Sequence, residues 1–154
     1  RNLRTESFIM RAGRGCPFSC SYCLSSIDKK LRFRDLELVK KELQFFLDHR
    51  VPQVKFVDRT FNCKHEHAMT IWKYILEHDN GVTNFHFEIS ADLLREEEME
   101  LMSQMRPGLI QLEIGVQSTN PETIRAIHRH MDLKKLEHCV NRVTVSEISI
   151  STWI

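Results

Sequence analysis

Apolar residues alternate between strand-like and helix-like periods along the whole chain, the pattern of a parallel α/β sheet. Phe8 to Ala12 predicts a first strand. Asp35 can cap a helix whose apolar positions Leu36, Val39, Leu43, Phe46 and Leu47 recur at helical spacing, and Pro52 ends that unit. Gln53 to Val57 predicts a second strand, followed by a helix with Ala68, Met69, Trp72, Ile75 and Leu76 on one face that stops at Asn80-Gly81. Asn84 to Ser90 is the third strand, with a helix from Asp92 to Arg106. Leu109 to Val116 is the fourth, leading to the cap and first-turn proline Asn120-Pro121. Asp132 caps a further helix bearing Leu133, Leu136, Val140 and Val143, and residues 146–154 read as a fifth strand.

The third and fourth strands carry more than their length. Side chains alternate across a strand, so Phe85, Phe87 and Ile89 share one face and His86, Glu88 and Ser90 the other. In the fourth, Ile110, Leu112, Ile114 and Val116 lie opposite Gln111, Glu113, Gly115 and Gln117. A sheet covered on both sides, or a closed barrel with a packed interior, calls for apolar residues on both faces. One polar face instead implies a sheet curved around a cavity that receives a polar ligand.

At 154 residues and 42% hydrophobic content the chain suffices for one domain, residues 1–154, with a real core. Lys plus Arg at 22 against Asp plus Glu at 21 leaves no whole-chain footprint for nucleic acid. No apolar run reaches bilayer length, and Arg1-Asn2-Leu3-Arg4-Thr5-Glu6 does not build a signal peptide, so the expectation is a cytoplasmic protein without membrane contact. The missing initial Met suggests a fragment of a longer chain.

The odd count of five cysteines argues for metal or catalytic use over disulfides. Three of them form one loop, Cys16-Pro17-Phe18-Ser19-Cys20-Ser21-Tyr22-Cys23. Three thiolates on one loop can hold three corners of a cubane cluster and leave the fourth iron open for chemistry. A closed structural zinc site would present two separated ligand pairs, and no second pair exists here. Cys63 and Cys139 are isolated and read as small buried hydrophobes. Cys63-x-His65-x-His67 would suit a second metal only if extended, and solvent-facing helical histidines are the better reading. The basic run Lys29 to Arg34 reads as a solvated face, although its position after the cysteine loop puts it near any substrate.

The C-x-x-x-C-x-x-C spacing, with Tyr22 before the last cysteine, resembles the signature loop of the radical S-adenosylmethionine (radical SAM) superfamily. It is similar to the members found with cobalamin-binding domains, the branch of the anaerobic cyclases and oxygen-independent coproporphyrinogen oxidases. The resemblance implies a partial (βα) barrel, here cut to about four βα units and a fifth strand. It implies an oxidoreductase or a methyl or methylthio transferase that reductively cleaves S-adenosylmethionine to a 5′-deoxyadenosyl radical. The cofactors implied are a [4Fe-4S] cluster on Cys16, Cys20 and Cys23, S-adenosylmethionine on its fourth iron, and cobalamin in a separate domain. The partners are a small-molecule substrate and a reducing protein such as flavodoxin or ferredoxin.

Carried over position by position, Tyr22 matches the aromatic site whose neighbourhood lies against adenine. Asp58-Arg59-Thr60 stands where the family often has Gly-Gly-Glu, so Asp58 or Thr60 is the candidate acceptor for the methionyl ammonium, beside the alternative of a solvated ion-paired loop. Glu88 suits ribose hydroxyls or cofactor cations. Gln117 matches a Gly-Val-Gln strand end, and Arg129 a basic residue that pairs with the methionyl carboxylate through its planar fork, with a surface ion pair as the alternative. Glu113 shares the cavity face and needs a cation there, Arg129, a lysine or the cofactor. The fifth strand lacks the inward acid and the Gly-Leu-Pro-type turn of the family. The rival reading is an electron-transfer or zinc-binding module without a reaction of its own.

Overall fold

The computed structural model describes residues 3–153. The readings that involve Arg1, Asn2 and Ile154 lie outside the described residues.

Five parallel strands form one open sheet, β1 (Ser7–Met10), β4 (Gln53–Phe56), β5 (Asn84–Ile89), β6 (Ile110–Gly115) and β7 (Ser149–Trp153), adjacent in that order. Between β1 and β4 a short antiparallel hairpin, β2 (Gly13–Arg14) with β3 (Arg32–Phe33), carries the cysteine loop between its arms. Helices α1 (Leu36–Asp48), α2 (His65–Glu77), α3 (Glu96–Ser103), α4 (Pro121–Ala126) and α5 (Leu133–Val145) fill the connections. The expectation of four βα units and a fifth strand describes this order, and the sheet does not close.

The caps read from the sequence form as hydrogen bonds. The Asp35 carboxylate accepts from the Glu37 and Leu38 amides at 3.0 and 3.1 Å. The Asn120 side chain accepts from Glu122 N at 2.8 Å, and Asp132 from Lys135 N at 3.1 Å. Each satisfies first-turn donors that a helix cannot pair internally.

The predicted helix from Asp92 to Arg106 divides into a 3-10 turn, Ala91–Leu93, and α3. Asp92 is occupied elsewhere: its carboxylate accepts from the Ser90 hydroxyl at 2.6 Å and from Asp132 N at 3.3 Å. The helix restarts at Glu96, where Glu98 reaches back to accept from Arg95 N at 3.0 Å.

The two faces of the sheet separate as strand alternation requires. Val54, Phe56, Phe85, Phe87, Leu112 and Ile114 are buried beneath the helices. An aromatic knot forms their centre: Phe87 stacks on Phe56 at 4.6 Å and meets Phe61 at 4.4 Å and the edge of Trp72 at 5.8 Å between ring centroids. The opposite face stays polar and half-buried, and it forms the floor of the site.

Candidate functional site

The C-terminal ends of β4, β5 and β6 open into a cavity of about 320 Å³. That size falls at the lower end of the range for small-molecule sites. Thr60, Glu88, Glu113, Gln117 and Arg129 line it, as does Phe18 from the middle of the cysteine loop. Five of the seven candidate cofactor residues therefore meet in one hollow, although 69 positions separate Thr60 from Arg129 in the sequence.

The cysteine loop is fastened to the rim at both ends. Cys16 N donates to the Asp28 carbonyl at 3.0 Å, and its Sγ lies 3.7 Å from the Thr60 hydroxyl. On the other side Ser21 donates to the Ile127 carbonyl through its amide at 3.0 Å and its hydroxyl at 3.2 Å. Cys23 N closes a tight turn onto the Cys20 carbonyl at 3.2 Å. Gly15 is required beneath the loop: its φ is +89°, and a Cβ there would sit 2.5 Å from the Lys30 carbonyl oxygen.

Arg129 ties the two walls together. One guanidinium nitrogen donates to the Tyr22 hydroxyl at 3.1 Å and another to the Gly115 carbonyl, while the buried Nε has no partner. Burial raises the Tyr22 hydroxyl pKa and the arginine opposes that rise. Gly115 leaves the room this needs, since a Cβ would come within 3.1 Å of Gln117 Nε2 and 3.8 Å of Arg129. Gln117 itself adopts a left-handed backbone, φ 66°, which no residue type in the sequence announced.

Glu113 finds a lysine, the second of its three expected partners. Lys55 Nζ lies 3.4 Å from Glu113 and 3.7 Å from Glu88, so one ammonium balances two half-buried carboxylates. His86 Nε2 approaches Glu113 to 3.0 Å without the alignment of a hydrogen bond. Lys55 was missed by sequence reasoning. The alternation Gln53-Val54-Lys55-Phe56 places it on the same face as His86, its direct neighbour in the sheet register.

Asp58 points elsewhere. Its buried carboxylate accepts from Ala12 N at 3.0 Å beneath the hairpin, and burial raises its pKa above the ordinary carboxylate range. The Asp58-Arg59-Thr60 loop therefore offers Thr60 and Arg59 to the cavity, with Asp58 as its internal brace.

The solvent-facing reading of His65 and His67 is corrected. His65 bridges Glu98 at 2.8 Å and Glu97 at 2.9 Å, pairing a carboxylate that is fully buried. His67 packs its ring 5.0 Å from Phe33, 5% exposed, because the hairpin folds over that end of α2. Cys139 is buried, as expected of an isolated cysteine, and half-buried Cys63 closes the 3-10 turn before α2.

All five thiols are free. Among the described residues no three His, Cys, Asp or Glu side chains gather around a single ion. A tetrahedral zinc would need sulfurs about 3.8 Å apart, given metal–sulfur bonds of about 2.3 Å. A cubane takes each thiolate on a separate iron, so its ligands stand farther apart. Three thiols on one loop, beside a polar cavity with an unpaired arginine nitrogen, fit a cluster that presents an open iron to a polar ligand.

An open parallel sheet with a three-cysteine loop at its C-terminal rim defines a class, and the chain belongs to it: residues 10–152 match the radical SAM superfamily. A bacteriochlorophyllide d C-12(1)-methyltransferase of Chlorobaculum tepidum is 25% identical over 92% of this chain. The chain spans 32% of that relative's own length. Among solved structures, the radical S-adenosylmethionine methyltransferase TsrM of Kitasatospora setae superposes with a TM-score of 0.81 at 17% identity, covering 97% of this chain and 30% of TsrM. The cobalamin-dependent S-adenosylmethionine radical enzyme OxsB gives 0.75 at 16% identity, over 94% of this chain and 23% of OxsB. Family membership indicates S-adenosylmethionine-dependent radical chemistry and an enzyme. Among the described residues no helix is long and apolar enough to cross a membrane.

Proposed function

We propose that this chain is the catalytic core of a methyl-transferring radical SAM enzyme, a segment of a longer protein whose other part binds cobalamin. The observation that carries the proposal is the double fastening of the cysteine loop to a polar cavity, with Arg129 joining the two. The named relatives support methyl transfer over other outcomes, since one is a methyltransferase by name and TsrM has been solved with cobalamin and a [4Fe-4S] cluster bound.

In this reading Cys16, Cys20 and Cys23 hold the cluster and leave one iron free. Bound there, cluster and S-adenosylmethionine supply one-electron cleavage of a carbon–sulfur bond, with the electron coming from a protein such as flavodoxin or ferredoxin. The Thr60 hydroxyl accepts from the methionyl ammonium, a role Asp58 cannot share while it holds Ala12 N. Arg129, with Nε unpaired, receives the carboxylate. Glu88 and Gln117 offer acceptors to ribose hydroxyls, Phe18 walls the site, and the Tyr22 hydroxyl steadies Arg129. Glu113 and Lys55 fix the charge balance of the floor. The acceptor is a small molecule, and the compartment is the cytoplasm, where reduced thiols persist.

The test is anaerobic reconstitution with iron and sulfide, followed by electron paramagnetic resonance. About four irons per chain and a reduced-cluster signal that changes on adding S-adenosylmethionine are expected. Cys20→Ala should abolish both. A signal indifferent to S-adenosylmethionine would favour the electron-transfer reading, and stoichiometric zinc in oxygen-free protein the zinc one.

A further inference from the structure

A second and a third hollow border the hairpin, of about 230 and 290 Å³. They share Arg11, Gly13 and Arg14 in their walls. The smaller adds Arg59, which also lines the cavity beneath the cysteine loop. Arg59 is therefore common to the proposed cofactor cavity and to this groove.

Charge makes the groove unusual. Five arginines border the two hollows, at positions 11, 14, 32, 34 and 59. Two are matched: Arg32 pairs with Asp28, and Arg34 forms a fork with Glu42 that holds that carboxyl below its usual range. Asp58, the nearest remaining acid, spends its carboxylate on the Ala12 amide and retains only a longer-range attraction to Arg11. Among the described residues, Arg11, Arg14 and Arg59 have no carboxylate within salt-bridge distance.

Three exposed guanidinium groups without carboxylate partners border one small hollow. Planar guanidinium forks match the oxygens of carboxylate and phosphate, and converging forks grip such a group better than scattered cations do. The hairpin gives the groove a fixed frame. Gly13 could not carry a side chain without pressing on Asp58, Phe33 and the Arg32 carbonyl at 3.2 to 3.3 Å, so β2 and β3 lie hard against the Asp58 loop.

We propose that Arg11, Arg14 and Arg59 receive an oxyanion, carboxylate or phosphate, on the substrate, so that the chain acts on an anionic small molecule whose reacting end extends past Arg59. The inference rests on the proposed function for the meaning of that reacting end. The oxyanion receptor itself stands on the groove alone.

The experiment titrates the isotope-labelled chain with inorganic phosphate and, separately, with succinate, reading backbone amide shifts. Saturable shifts at residues 11–15 and 59 are expected from at least one probe, weakening as salt screens the charges. Arg14→Gln and Arg59→Gln should each weaken binding about tenfold or more, with Arg14→Lys retaining part of it. Which probe binds tighter separates phosphate-bearing from carboxylate-bearing substrates. No saturable shift with either probe, or Gln variants that bind like the parent, would overturn the receptor. If a Gln variant fails to fold, the location of the shifts in the parent still decides. Iron content measured on parallel samples keeps the two ideas apart: a chain that takes iron and ignores both anions defeats only the receptor, and one that binds anions and takes no iron defeats only the cluster.

Discussion

His67 shows how a single side chain can set a slope in stability. Burial lowers its pKa, and its Nε2 has no partner. The native state then binds fewer protons than the unfolded chain near the ordinary histidine value of about 6.5. The resulting stability is present above that value and is lost as pH falls through the lower native one. His67→Phe keeps a ring against Phe33 and removes the unpaired nitrogen. Denaturant midpoints at pH 7.5 and 5.5 should show the parent losing more on acidification than the variant. Equal losses in both proteins would exclude His67 as the source.

At the scale of elements, the short helix α4 does more than connect β6 to α5. Its C-terminal turn presents the Ile127 carbonyl to Ser21 and launches the chain toward Arg129, so one of the two fastenings of the cysteine loop depends on this helix. Asn120→Ala removes the cap and should cost about 1 kcal/mol. Its distinctive sign is distant: hydrogen exchange at the Ser21 amide should accelerate, while amides in α1 stay unchanged.

Much of this scale could be read from the chain. Asp35, Asn120 and Asp132 announce their helices because a capping side chain acts on amides two or three residues away. The alternation in β5 and β6 by itself separates floor from core. The candidates Thr60, Glu88, Glu113, Gln117 and Arg129 meet because each stands at or beyond a strand end, where the parallel order gathers them. What sequence could not carry were contacts set by a fold-over. The hairpin covers His67, diverts Asp58 to Ala12 and puts Arg11 and Arg14 beside Arg59, and none of these pairings has a local signal. The left-handed backbone at Gln117 has no local signal either.

For the molecule as a whole, the helices cover one face of the sheet, so stability and chemistry occupy opposite sides. Phe87 sits at the centre of the covered side, touching Phe56, Phe61 and Trp72. Phe87→Ala should cost about 3–5 kcal/mol, a large share of the roughly 5–15 kcal/mol expected for a domain. A melting curve that shifts only slightly would mean that the knot repacks. The neighbouring Glu88 faces the other way, and Glu88→Gln should leave the melting curve nearly unchanged.

The sheet also runs in the order of synthesis, each strand pairing with the one made before it. The bond from Ser21 to Ile127 breaks that economy, for it spans 106 positions. At roughly 5–20 residues per second, a ribosome leaves the three thiols without that anchor for roughly 5–20 s. On the proposed function, iron delivered during this interval would meet a loop held only at its Cys16 end, and iron delivered afterwards a loop held at both.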